Sequence, residues 1–127
     1  MDYIKLTLPL PPSVNGLYAG KVRRYKSSKY KDWIQRAYIE LKQQETYTIY
    51  GSEWLEVKLW LYTPIYNKDG SKKKKDVDNY MKALFDFLWD NIEGFDDKNI
   101  KKLEAEKHQS TEDYILVFIK EINVEQS

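Results

Sequence analysis
The sequence predicts an α+β domain, and three features of it carry that prediction. Two stretches alternate apolar and polar residues with the period of a strand, two others repeat apolar residues at helical spacing, and a short unbroken apolar run lies near the C-terminus. With 127 residues the chain fits a single domain, 1–127, whose core needs no metal or disulfide staple.

Ile4, Leu6 and Leu8 alternate with Lys5 and Thr7 until Pro9, Pro11 and Pro12 end the pattern, which gives a first strand. Residues 13–28 then mix Gly, Ser, Asn and basic side chains as a long loop does. Tyr30, Trp33, Ile34, Ala37, Tyr38 and Leu41 recur at helical spacing, so a helix is expected over 29–44 with Ser28 as its N-cap. Leu55, Val57, Leu59 and Leu61 alternate with Glu56, Lys58, Trp60 and Tyr62 in a second strand over 53–63, closed by Pro64 and the loop NKDGSKKKK. Asp76 opens a second helix whose apolar stripe is Val77, Tyr80, Met81, Leu84 and Leu88, and Gly94 supplies the turn after it. Segment 96–110 is ambiguous: its composition favours helix, yet Leu103, Ala105 and Lys107 alternate as in a strand. The run YILVFI at 114–119 reads as a strand covered on both faces.

Composition narrows the class. Hydrophobic residues at 42% and aromatics at 15% make the chain globular despite 32% charged residues. The absence of Cys removes disulfides, thiolate metal sites and Cys nucleophiles together, and fits a reducing interior. MDYIKLTLPL has neither the basic start nor the apolar stretch of a secretory signal, and no run approaches a membrane span, so a cytoplasmic protein is expected. The net charge of +1 conceals a polarised chain. Lys21, Arg23, Arg24, Lys26, Lys29, Lys31 and Arg36 face only Asp32 within 20–36, lysines dominate 68–75, and acids dominate from Glu104 onward. Such local patches, more than net charge, decide whether a polyanion is attracted.

Much catalytic equipment is missing. With His108 alone and no Cys, a Ser-His-Asp or Cys-His triad has no material unless His108 serves, and EKHQS around it reads as an exposed strand end or turn. No GxxxxGKS or GxGxxG loop is present, which argues against a nucleotide cofactor. What remains is carboxylate chemistry beside cations. Lys72, Lys73, Lys74 and Lys75 run into Asp76 and Asp78, with Lys82 one helical turn beyond Asp78, and a second acidic pair, Asp96 and Asp97, follows the helix. Mg²⁺ takes a few carboxylates together with water and phosphate oxygens, so aspartates from two loops suffice to hold it. The ion would activate water and offset charge on a phosphate under attack, while the lysines hold the polyanion. Each feature also has a structural use. An Asp at a helix start satisfies free N–H groups and the helix dipole, Asp78 with Lys82 is an ordinary i,i+4 pair, and Asp96–Asp97 suits a turn. It is their conjunction with the basic loops that points to chemistry.

Three motifs in order resemble the RusA family, the phage-type Holliday junction resolvases, over nearly the whole chain. LPLPPSVNGLY (Leu8 to Tyr18) is similar to that family's strand-exit motif, and DVDNYMKALFD (Asp76 to Asp86) to its Asp-x-Asp-Asn helix start with a following Lys. GFDDKNI (Gly94 to Ile100) is similar to its Asp-Asp loop, and Lys107 matches a lysine on the strand beyond. The resemblance implies a small mixed β-sheet with two helices in the order β-α-β-α-β-β, in which 99–107 is a strand pairing with 114–121. It implies a homodimer that binds branched DNA, the four-way junction, and makes paired symmetric nicks in recombination and repair, with Mg²⁺, or Mn²⁺ in its place, as cofactor. Carried over by position, Asp76, Asp78 and Asp97 bind the metal and are catalytic, Lys82 contacts the scissile phosphate or stabilises its transition state, and Lys75 touches the DNA backbone. With Lys72, Lys73, Lys74, Arg23, Arg24 and Lys107, Lys75 makes up the expected DNA-binding set. Four consecutive lysines stand where relatives often mix in Arg, which bears on sequence preference because Arg and Lys grip phosphate differently. The competing expectation is a DNA-junction or single-strand binding module that does not cleave and uses the same basic loops with exposed aromatics such as Tyr18 and Tyr25.

Overall fold
The alternation read from the sequence builds a four-stranded sheet. A computed structural model of the protein describes residues 3–45, 48–50, 54–73 and 77–122. The strands are β1 (Ile4–Pro9), the two-residue β2 (Tyr18–Ala19) and β3 (Tyr25–Lys26), β4 (Trp54–Thr63), β5 (Ile100–Gln109) and β6 (Tyr114–Ile122). The helices are α1 (Ser28–Lys42) and α2 (Met81–Asn91), and short 3-10 turns lie at Val14–Gly16, Val77–Tyr80 and Asp97–Asn99. The main sheet runs β1-β6-β4-β5, while β2 and β3 pair separately as a small hairpin. No described helix is long and apolar enough to cross a membrane.

The ambiguous segment is a strand, as the resemblance implied, but its partner differs from the expectation. β5 pairs in parallel with β4, and 114–122 pairs antiparallel with β4 on the other side. The physical reason is the helix between β4 and β5, which carries the chain back so that β5 enters in the same direction as β4. Residues 110–113 then pass over the end of β4 to start β6. Thr63 holds that crossing: its carbonyl accepts from the Ser110 N–H at 3.2 Å and its hydroxyl donates to Asp113 Oδ1 at 2.7 Å.

Period-2 alternation sorts the strand residues cleanly between two faces. Leu6, Val117, Leu59 and Ala105 form one rank across the sheet, and Leu8, Ile115 and Leu61 form the next. Against these pack Tyr30, Trp33, Ala37 and Leu41 of α1 and Ala83, Leu84, Phe87 and Leu88 of α2, in one continuous core. Each fully buried leucine contributes about 1.5–3 kcal/mol relative to exposure. The α2 stripe is thus centred on Ala83 and Phe87 as well as on Leu84 and Leu88; Val77 and Met81, expected in it, are only partly buried.

Among the described residues, the opposite face carries no helix. β6 therefore alternates, with Ile115, Val117 and Ile119 buried and Tyr114, Leu116 and Phe118 half-buried, in place of the two-sided cover expected. What shelters those residues is their neighbours: Trp60 meets Phe118 at 4.8 Å between centroids, and Tyr62 stacks on Tyr114 at 4.5 Å and on His108 at 4.9 Å. His108 accordingly lies at the strand end, one of its two expected settings, but as a half-buried member of an aromatic cluster and not as an exposed side chain. At the outer edge of β1, Gln44 stands in for a further strand, accepting from the Thr7 N–H at 2.8 Å and donating to its carbonyl at 2.7 Å.

Candidate active site
The loop after β1 is fixed before it reaches the acidic residues. Trp33 Nε1 donates to the Pro9 carbonyl at 3.0 Å, and Ser27 binds the loop twice, with its N–H to Leu17 O at 2.9 Å and its hydroxyl to Gly16 O at 2.6 Å. Leu17 between them is fully buried. The Val14–Gly16 turn so anchored packs against both α2 and the Val77–Tyr80 turn that precedes it. That second turn also lies against β5.

Asp78 is the second residue of the Val77–Tyr80 turn and is exposed, while Tyr80 plugs the core below it. Burial raises the Tyr80 phenol above its ordinary range, and the charge of Asp113 adds to the rise. Lys82, in the first turn of α2, pairs with Asp86 at 2.8 Å. Asp86 holds the Lys82 ammonium above the usual lysine range, with Tyr18 and Asp97 contributing in the same direction. Asp97 therefore acts on the same ammonium that lies one turn beyond Asp78.

How Asp97 reaches that neighbourhood is a matter of the α2 exit. Gly94 takes φ +87, and a Cβ there would run into the Ile49 carbonyl, so only glycine fits. Phe95 then returns to the core beside Phe85, 6.1 Å away. The next two residues split in role. Asp96 is engaged locally, its side chain accepting from the Lys98 N–H at 3.0 Å and pairing with Lys98 Nζ at 3.5 Å. Asp97 opens the following turn, exposed; its carbonyl accepts from the Ile100 N–H, while neither its carboxylate nor that of Asp78 makes a hydrogen bond or ion pair among the described residues.

Of the three expected metal-binding carboxylates, Asp78 and Asp97 are thus placed, and Asp76 lies outside the described residues, as do Lys74 and Lys75. Among the described residues no three His, Asp or Glu side chains converge as a metal site. The donor chemistry nonetheless fits a hard cation: two exposed, unengaged carboxylates, with His108 occupied on the far face of the sheet and no thiol in the chain.

The expected DNA-binding cations divide into three places. Lys72 lies in a hairpin closed by its bridge to Tyr66, and the Lys73 N–H returns to Ile65 O at 2.8 Å. Arg23 and Arg24 are exposed at the tip of the β2–β3 hairpin, which Gly20 turns at φ +96. Lys107 sits opposite Leu61 in the register, on the helix-bearing side of β5, the side on which the Asp78 turn packs.

Two residues near the site lie outside the expected site set. Asp86, on a helix surface that suits a solvated or ion-paired acid, is ion-paired with Lys82, and Tyr18, expected only as an exposed aromatic, acts on the same ammonium. Both line a cleft of about 240 Å³ between the β2–β3 hairpin, α1 and α2, whose other walls include Lys26, Tyr30, Trp89 and Asp90.

Compared with known families, residues 9–120 match the family described as Endodeoxyribonuclease RusA. A comparison with curated proteins gives no match.

Proposed function
The chain belongs to the RusA endodeoxyribonuclease family, and from that membership we propose that it resolves four-way DNA junctions by divalent-metal-dependent hydrolysis at paired, symmetric phosphodiesters. In this reading Asp76, Asp78 and Asp97 hold Mg²⁺ or Mn²⁺, which when bound activates water and offsets charge on the phosphate. Lys82, whose ammonium feels the charge of Asp97, would neutralise the scissile phosphate. Lys72 to Lys75, Arg23, Arg24 and Lys107 hold the DNA arms through backbone contacts, which read branch geometry more than sequence. The observation that carries the reading is the division of labour in the acidic loop. Asp96 is consumed by Lys98, whereas Asp97 is left unengaged and within the electrostatic reach of Lys82.

Paired cuts require two copies of the site, related by a two-fold axis. We assign that axis to the helix-free face of the sheet. Its centre is aromatic, at Trp60, Tyr62, Tyr114 and Phe118, and its flank interleaves Glu56 and Glu104 with Lys58 and Lys102. A mixed-sign surface of this kind can complement itself but attracts DNA poorly.

The test is Asp78→Asn assayed on a synthetic four-way junction and on linear duplex, with and without Mg²⁺. Cleavage should fall by at least about a hundredfold while the junction mobility shift persists, as expected when a group that acts chiefly on the transition state is lost. Full cleavage by this variant overturns the mechanism. A non-cleaving module has one observation in its favour, the exposure of Tyr18 and Tyr25 beside Arg23 and Arg24. It would show the same metal-indifferent shift in wild type and variant, with no nicks from either.

A further inference from the structure
Lys82 occupies an unusual electrostatic position. It is a cation in the first turn of α2, where the aligned peptide dipoles are positive and a cation is disfavoured. Two carboxylates stand four residues from it in sequence, Asp78 in the 3-10 turn before α2 and Asp86 on α2 itself. An acid preceding a base by four residues is the better arrangement within one α-helix, a register that the 3-10 turn holding Asp78 does not continue. Nζ accordingly lies 2.8 Å from Asp86 Oδ2, while Asp78 and Asp97 have no ion pair among the described residues. Lys82 and Asp86 are each about half exposed, so the side chain is at liberty to move between partners.

We propose that Asp86 is a positioning residue that acts through Lys82: it parks the ammonium along α2, keeping Asp78 and Asp97 open to a divalent cation until DNA draws Lys82 toward phosphate. This rests on the assignment of Asp78 and Asp97 to the metal. Without Asp86 the ammonium has its remaining partners in the metal site itself, where it competes with the incoming ion for the same oxygens. Asp86 is half-exposed on the surface of α2, so its replacement by Asn leaves the core untouched.

The experiment measures Mn²⁺ binding to the DNA-free protein by water-proton relaxation, in a cycle of wild type, Asp86→Asn, Lys82→Met and the double variant. An exposed pair of this spacing biases its partners by only about twofold, so Asp86→Asn should weaken Mn²⁺ binding about twofold. Lys82→Met should strengthen it, and adding Asp86→Asn to Lys82→Met should change nothing further. An equal loss in both backgrounds would mean that Asp86 acts on the ion directly through its charge, and would overturn the proposal. So would the absence of any effect of Asp86→Asn in the wild-type background. Asp78→Asn and Asp97→Asn are measured alongside: if neither weakens Mn²⁺ binding, the metal assignment fails, and the proposal with it. A loss in those two variants with an additive cycle sinks the parking role alone.

Discussion
Tyr30 has a burden that its sequence position does not reveal. It faces the core with 2% of its surface exposed, yet its ring borders the cleft that holds Asp86 and Asp90. Burial pushes its phenol up to about 12, and the charges of Asp86, Tyr18 and Asp90 add to the shift. The folded state thus holds this proton more tightly than the unfolded chain, whose tyrosines titrate near the ordinary value of 10.0. Its contribution to stability is complete below pH 10 and is lost as pH rises through the interval up to about 12. Denaturant melts of wild type and Tyr30→Phe across that interval should show the wild type losing stability more steeply. Parallel curves would mean that the phenol ionises as freely in the folded protein as in the unfolded one.

For single elements, the start of α1 sets the geometry of the loop that borders the acidic turn. Ser27, not the expected Ser28, is the N-cap: its Oγ accepts from the Tyr30 N–H at 3.1 Å. The same hydroxyl donates to Gly16 O at 2.6 Å, so one atom both caps the helix and ties down the Val14–Gly16 turn. Ser27→Ala should cost about 1–2 kcal/mol, read as a lower denaturant midpoint at unchanged slope. Ser27→Asp retains the cap acceptor but cannot donate to Gly16 O, so it should recover only part of the loss. Equal stability of wild type and Ser27→Ala would show that the cap and loop bonds are replaced by water without penalty.

Across the whole molecule, the sheet is helix-covered on one side and aromatic on the other. If the second copy sits on the aromatic side, Phe118→Asp places a charge against Trp60, 4.8 Å away, at the centre of that contact. The mass in solution should drop from twice 15.2 kDa to 15.2 kDa by light scattering, with the far-ultraviolet dichroism retained. Junction nicking by the monomer should then lose its pairing, yielding single nicks. A wild-type mass of 15.2 kDa, or an undisturbed dimer in the variant, removes this face from the interface.

The sequence by itself determined what is written in local periodicity. β1 and β4 follow from period-2 alternation, α1 from helical spacing, and the acidic and basic residues from their identity, because each of these depends on neighbours within a turn or two. Tertiary structure decided the rest. β5 is mostly exposed, with Lys101, Lys102, Leu103, Glu104, Glu106 and Lys107 on its surface, so its residues carry no strong pattern of their own; its hydrogen bonds to β4 are what make it a strand. Its place beside β4 depends on α2 returning the chain, which no local signal encodes. The half-open state of β6 is of the same kind: an apolar run looks alike whether helices or neighbouring aromatic rings cover it. Lys82 has a carboxylate at equal spacing on either side, and the sequence offers both. Pairing with Asp86 follows from where α2 begins: Asp78 stands in a 3-10 turn that packs against Val14–Gly16 and β5, off the helix that Lys82 and Asp86 share.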